Sequence, residues 1–275
     1  MPAARPLDVR WIHGSPSAKH DTDPEIQVHA YDEDTYILRQ NKSVDYEAPF
    51  LYLLFGSERA VLVDTGATAD PAHFPLRRTV DALIDARSAH GSGSGYGLLV
   101  AHTHGHGDHV AGDGQFAGRP GTELVPAGEA LARFGLTGEE PGTLELGGRT
   151  LECLATPGHH ASAVTWFDPR TGFLLTGDTV YPGRLYVEDW AAFVRTVDRL
   201  VDFAAARPVT HVLGCHIEMT TEPGVDYPVR TTYQPDEPPL ELSVADLHDL
   251  QRACREIGDR PGRHPYRRFV VVKPD

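Results

Sequence analysis

Four side chains able to bind a metal ion lie within six residues, in the run Thr103-His104-Gly105-His106-Gly107-Asp108-His109. In extended chain, positions i and i+2 point the same way, so His104 and His106 can share one ion while Asp108 and His109 turn toward a second. Gly105 and Gly107 keep the backbone between them uncrowded. Imidazole and carboxylate without thiolate suit zinc, and less selectively manganese or iron. The competing reading is a solvated histidine-rich loop. The ordered spacing of the run, directly after the apolar stretch Leu98 to Ala101, weighs against it.

Three further positions extend the set. His159 follows a strand pattern, Thr150 to Ala155, through Thr156-Pro157-Gly158; Asp178 follows Phe173 to Thr176 through Gly177; His216 follows Thr210 to Gly214. Loops at one end of a sheet are where a rigid scaffold presents functional groups, so these positions are expected to converge. Seven ligands then serve two ions: His104, His106 and His159 the first, Asp108, His109 and His216 the second, with Asp178 bridging. The expected cofactor is a pair of Zn2+ ions, with Fe or Mn as the other metals this donor set accepts.

The elements that must position these groups are legible from periodicity. Ile26 to Tyr31, Thr35 to Arg39, Phe50 to Phe55 and Ala60 to Val63 read as short antiparallel strands bounded by turn residues. Pro75 opens a helix carrying Leu76, Val80, Leu83 and Ile84 and running to Ala89. Gly91 to Gly95 reads as a flexible surface loop before the strand Leu98 to Ala101. In the second half, Thr143 to Leu146 and Thr150 to Ala155 flank Gly147-Gly148 as a hairpin, and Ala163 to Phe167 pairs with Phe173 to Thr176. Trp190 to Val201 forms an amphipathic helix ended by Pro208, and the strand Thr210 to Gly214 follows. Ser243 and Asp246 offer a capping box for a helix that Gly258 stops, and Phe269 to Val272 is a closing strand. Strands then helix, repeated once, suggest two similar halves with sheets inside and helices outside.

Composition removes whole classes of function. The 275 residues carry 25 Lys+Arg against 39 Asp+Glu, a net charge of −14, which argues against nucleic acid because phosphate binding needs a basic face. At 40% hydrophobic and 23% charged residues, neither a disordered nor a fibrous chain fits. Apolar runs such as Phe50 to Phe55 are far shorter than the ~20 residues of a membrane span. Met1 to Arg10 holds no apolar stretch of secretory-signal length, and Cys153, Cys215 and Cys254 form no CxxC, so a cytoplasmic chain without a disulfide framework is expected. We expect one catalytic domain over residues 1–275, with 222–275 packed on it as a C-terminal extension of Pro-rich loop, helix and strand. The expected partner is a small-molecule substrate.

Taken in order, Val63-Asp64-Thr65-Gly66, Thr103 to His109, Thr156 to His159, Thr176-Gly177-Asp178 and His216 resemble the motifs of the metallo-β-lactamase-fold hydrolase superfamily. The resemblance covers about Phe50 to His216 and implies an α+β fold, a four-layer αββα sandwich with the metals at one sheet edge. Within the superfamily, flavin-linked diiron oxidases carry Glu where His106 stands, and many true β-lactamases lack the equivalent of His109 or of Asp178. RNA-processing members are expected to be more basic. The ligand set is similar to that of the glyoxalase II-like and lactonase-like branches, which open thioesters, esters or lactones. One departure is His160, where such enzymes often carry Thr or Ser.

The chemistry expected of the pair is hydrolysis. Two ions about 3.5–4 Å apart hold a bridging water, lower its pKa toward about 7 and present hydroxide to a carbonyl carbon whose oxygen they polarise. Asp108 is expected to orient that hydroxide and pass its proton to the leaving group. The alternatives from other classes are a mononuclear iron persulfide dioxygenase, using two histidines and an aspartate, and a metal-bearing binding module without turnover.

Around the ligands, Asp64 is expected to hydrogen-bond backbone near the ligand loop and steady it, and His102 to pack beside the cluster, pointing away from the ions. His160 is expected close behind the ligands. Tyr181, Arg184 and Tyr186 follow Asp178 in a Pro182-Gly183 turn, where a hydroxyl or guanidinium can steady a substrate's oxyanion or carboxylate. Tyr181 is taken as catalytic, Arg184 and Tyr186 as substrate-binding. Cys215 is expected to be buried rather than a ligand, and Tyr227, Arg230 and Tyr233 to decorate the surface.

Overall fold

The computed structural model describes residues 7–88, 96–136, 138 and 140–275. The loop expected at 91–95, and the end of the first helix at Ala89, lie outside the described residues.

In chain order the strands and helices are β1 (Ile26–Asp32), β2 (Thr35–Gln40), β3 (Phe50–Phe55), β4 (Arg59–Val63), α1 (Leu76–Ser88), β5 (Gly97–Ala101), α2 (Gly107–Val110), β6 (Thr122–Leu124), α3 (Ala130–Arg133), β7 (Gly142–Glu145), β8 (Thr150–Ala155), β9 (Val164–Asp168), β10 (Phe173–Gly177), β11 (Arg184–Tyr186), α4 (Trp190–Ala205), β12 (His211–Gly214), α5 (Val244–Ile257), β13 (Gly262–Pro265) and β14 (Val270–Lys273). Strands β1 to β6 form one sheet in sequence order, and a second sheet runs β12-β10-β9-β8-β7.

Strand periodicity explains the layering. In β3 the residues Phe50, Tyr52 and Leu54 face a core shared with Phe173 and Leu175 of β10, whereas Leu51, Leu53 and Phe55 face Leu76, Val80 and Ile84 of α1. Both faces are therefore covered, and all six residues are buried. The second sheet does the same: Leu174 and Val212 turn outward onto Phe193, Val197 and Leu200 of α4 and onto Leu247 and Leu250 of α5. The order is helix, sheet, sheet, helix, as the αββα expectation requires. Arg149 crosses between the sheets, pairing with Asp168 and donating to the carbonyls of Asp34 and Phe55 and to the Thr35 hydroxyl.

The parallel pairs fix where loops emerge. β4 runs parallel to β5, and β10 runs parallel to β12. β8 is antiparallel to β9, which is antiparallel to β10, so β8 shares the direction of β10. Within each sheet, the loops bearing the candidate ligands therefore leave from the same end.

The sequence reading differs from the structure at the periphery. The closing strand spans Val270–Lys273 and joins neither large sheet; it is central in a third sheet, β11-β14-β13. β6, β11 and β13 were not anticipated, because three or four residues such as Gly-Arg-His-Pro show no alternation. The capping box at Ser243 and Asp246 forms as expected. Among the described residues no helix is long and apolar enough to cross a membrane.

Candidate metal centre

The site begins at the end of β4, where Asp64 is fully buried with φ 67, a backbone region that Asp tolerates through local hydrogen bonds. Its Oδ1 accepts from the Thr103 N–H at 2.7 Å and its Oδ2 from the Thr103 hydroxyl at 2.8 Å. Oδ2 also lies 2.9 Å from His109 Nδ1. Burial opposes ionisation of Asp64, but the charge of His109 and the hydrogen bond of His102 outweigh it and hold the carboxyl well below its ordinary range. Asp64 thus ties the first residues after β5 to the end of β4. Close approach also fixes two glycines. A Cβ at Gly177 (φ 54) would lie 2.6 Å from Thr103 Cβ, and one at Gly158 (φ 139) 2.4 Å from Phe193 Cα.

From this scaffold two groups of side chains converge. His104 Nε2, His106 Nδ1 and His159 Nε2 stand 3.0 to 3.2 Å apart. In the second group, Asp108 Oδ2 is 3.3 Å from both His109 Nε2 and His216 Nε2, and Asp178 Oδ1 is 3.5 and 3.4 Å from the same nitrogens. Within each group the ligand atoms lie within 4.8 Å of one another. Asp178 belongs to the second group by Oδ1, while its Oδ2 stands 3.8 Å from His159 Nε2.

The chemistry of these groups fits divalent ions. Burial pushes His104 and His159 below the ordinary histidine pKa, so their rings are neutral and offer lone pairs. Burial also disfavours protonated His216, but Asp178 and Asp108 outweigh it and push it up to about 9, which marks a locus that draws positive charge. Asp178 Oδ1 is buried without a hydrogen-bond donor. Ring orientation is set from behind: His159 Nδ1 donates to the Tyr186 carbonyl at 2.7 Å and His216 Nδ1 to the Glu47 carbonyl at 3.0 Å, leaving each Nε2 facing its group.

The neighbouring residues separate cleanly. His102 is buried, with Nε2 3.3 Å from Asp113 Oδ1, and joins neither group, as strand parity required. His160 bonds Ser162 through Nδ1 at 2.9 Å and meets His106 edge-on with ring centroids 4.7 Å apart, outside the ligand sets. Cys215 is buried with Sγ 3.4 Å from Asp64 Oδ2; with Asp64 and His109 it forms a third cluster of ligand-type atoms, in which burial pushes the thiol up.

Tyr181 and Arg184 both line the cavity at the centre, with their polar groups already engaged. The Tyr181 hydroxyl donates to the Arg184 carbonyl and approaches Glu218. The Arg184 guanidinium pairs with Glu218 and Asp226 and donates to the Tyr227 carbonyl. These partners lie more than thirty residues away in sequence, Asp226 and Tyr227 of them in the Pro-rich segment.

A cavity of about 260 Å3 opens on the centre, lined by His106, Asp108, His159, Asp178 and His216, by the expected Tyr181, Arg184 and Tyr186, and by Tyr46, Glu47, Glu218 and Val229. Tyr46, Glu47, Glu218 and Val229 were not singled out in the sequence. A carbonyl that orients a ring carries no sequence signal, and a valine in a Pro-rich stretch shows no periodicity. A larger groove of about 710 Å3 lies along α1, lined by none of the candidate ligands and with Arg77 and Asp81 already paired.

Residues 47–216 match the family model of the metallo-beta-lactamase superfamily. The chain is 33% identical over 136 residues to the hydroxyacylglutathione hydrolase of Anaeromyxobacter dehalogenans (strain 2CP-C), covering 48% of this chain and 46% of that protein. It is 32% identical over 120 residues to the hydroxyacylglutathione hydrolase of Rhodobacter capsulatus, covering 42% of this chain and 46% of that one. It thus spans about half the length of the curated relatives it matches. A metallo-beta-lactamase from Pontibacter korlensis superposes with a TM-score of 0.55 at 17% identity, over 84% of this chain and 99% of that one, which bears on the fold alone.

Proposed function

Because the chain belongs to the metallo-β-lactamase superfamily, we propose that it is a dinuclear, zinc-dependent hydrolase of a small ester, thioester or lactone. The observation that carries this reading is the complete second group, Asp108, His109, Asp178 and His216, beside the three-histidine group, with one oxygen of Asp178 toward each. Divalent ions held there would acidify a water into a nucleophile near neutral pH and polarise a carbonyl oxygen.

The chain's own residues supply the rest. His104, His106 and His159 would hold one ion, and Asp64 fixes His109 so that its Nε2 faces the second group. The Asp108 carboxylate lines the cavity with about a fifth of its side chain exposed, 21%. Burial opposes its ionisation, but hydrogen bonds from His109 and His216 outweigh it and hold the carboxyl well below its ordinary range, so it stands as a carboxylate. We assign it the proton of the attacking water, which it returns to the departing alkoxide or thiolate as the C–O or C–S bond breaks. The named activity of the two relatives supports the acyl-transfer class. An iron dioxygenase held by two histidines and an aspartate leaves the second group without a task. A binding module has no need of groups arranged to activate water.

The segment 222–275 fits this reading as part of the same catalytic unit: Val229 lines the cavity and α5 packs against α4. The proposed partner is a small molecule. The test is a panel of thioesters, lactones and phosphodiesters given to zinc-loaded protein, with oxygen uptake followed in parallel. Hydrolysis of an acyl compound without oxygen uptake is expected. Oxygen consumption with a persulfide, or a silent panel with metal bound, would overturn it.

A further inference from the structure

Ions in the two groups would attract the carbonyl oxygen of any acyl compound alike, so choice among substrates falls to the remaining cavity wall. Building on the hydrolase reading, we infer that this wall selects compact, uncharged acyl compounds whose apolar acyl group lies on Tyr186 and Val229. It rejects those whose leaving group bears carboxylates, glutathione thioesters included.

Volume is the first argument. About 260 Å3 is below the ~300–1,000 Å3 that encloses a drug-sized ligand, so the acyl group and the first atoms of the leaving group fill it.

Charge is the second. Among the described residues Arg184 is the lone lysine or arginine lining the cavity, and its guanidinium is already held by Glu218, Asp226 and the Tyr227 carbonyl. Glu47 lines the wall as well, and Glu188 Oε1 stands 3.5 Å from His106 Nε2 with 57% of its side chain exposed. Arg230, just outside the lining, meets the Tyr46 hydroxyl, where the Glu47 carboxylate also arrives. A carboxylate carried into this mouth meets acidic groups and no unengaged cation of the lining, and like charges placed together reject a ligand.

Apolar exposure is the third. Tyr186 is 43% exposed and Val229 59%, among the few large apolar side chains so placed in the described residues. They come from β11 and from the Pro-rich segment, yet line one cavity. Covering them withdraws apolar surface from water, which favours an apolar occupant.

The experiment compares matched thioesters on zinc-loaded protein: S-butyryl glutathione against the S-butyryl ester of 2-mercaptoethanol. The uncharged ester is expected to have the higher kcat/KM, by about tenfold or more. Replacing Tyr186→Ala and Val229→Ala together is expected to lower kcat/KM for butyryl relative to acetyl esters by about tenfold. S-butyl glutathione, which cannot be hydrolysed, is expected to give no binding heat at millimolar concentration. Preference for the glutathione thioester, heat on adding S-butyl glutathione, or an equal loss for acetyl and butyryl esters would overturn the selection while leaving the hydrolase standing. No turnover of either ester with metal bound would overturn the hydrolase reading and the selection with it.

Discussion

Asp64 Oδ2 lies 2.9 Å from His109 Nδ1, and both side chains are fully buried. The carboxylate fixes the ring so that Nε2 is free to face Asp108, Asp178 and His216, and it also accepts both donors of Thr103 at the start of the ligand loop. The metal centre and the junction of β4 with β5 therefore depend on one side chain.

Asp64 should accordingly show two separable effects. Asp64→Ala leaves the Thr103 donors unpaired in the core and is expected to lower stability by about 3 kcal/mol in denaturant unfolding. Asp64→Asn keeps the shape but removes the charge behind His109, and is expected to weaken binding of one of two zinc ions by about 10–100-fold in a metal titration. Unchanged affinity for both ions would contradict the role given to this pair.

Asp108 should affect turnover more than folding. Its side chain is partly exposed at the cavity wall, so Asp108→Asn is expected to cost less than about 1 kcal/mol of stability. Turnover is expected to fall at least about 100-fold, because the proton acceptor is lost. Steady-state kinetics beside a denaturant curve reads both, and retained turnover would remove the proton-transfer assignment.

Arg149 tests the scaffold alone. Its guanidinium pairs with Asp168 and serves two carbonyls and a hydroxyl between the sheets, all in buried surroundings. Arg149→Met leaves Asp168 as an unpaired buried charge and is expected to cost about 3–5 kcal/mol. Turnover per folded molecule is expected to stay within about twofold at a temperature where the variant is folded, since Arg149 is absent from the cavity wall.

Lys42 predicts a pH dependence. It is 3% exposed, and burial, with Arg39 adding to it, lowers its pKa from 10.5 to about 8 against the pull of Glu237, Glu218 and Glu47. Between those two values the unfolded chain holds the proton more than the folded one, so this group's contribution makes stability rise with pH across that window. Below about 8 both states are protonated and the penalty is constant. Lys42→Met lacks the titration, so the wild type should gain on the variant by roughly 2–3 kcal/mol as pH rises from below 8 to 10.5. Parallel unfolding curves for the two proteins across that range would contradict it.

The sequence displayed what is local and repetitive. Thr103 to His109 is a ligand run readable by eye, and the bounds of β3 and β8 match their apolar patterns, because alternation and buried runs follow directly from two covered sheet faces. The structure brings His104, His106 and His159 into one cluster and Asp108, His109 and His216 into the other, as the sequence spacing suggested, with Asp178, read there as bridging, in the second cluster. What was not legible is contact between distant segments. Nothing near Arg184 announces that Glu218 and Asp226 will take its guanidinium, and nothing in Tyr186 or Glu47 marks a carbonyl that orients a ring. Strands as short as β11 leave no periodic trace. The third sheet, which holds Tyr186 beside the cavity, escaped for that reason.

The account turns on two ions held by these seven side chains, so metal quantification on the purified protein by mass spectrometry under native conditions tests it most directly. It predicts about two zinc ions per chain in the wild type and about one in His216→Ala, which breaks the second group and leaves the three histidines intact. A wild-type chain that binds one ion or none under zinc-replete conditions, or a variant that still holds two, would contradict it.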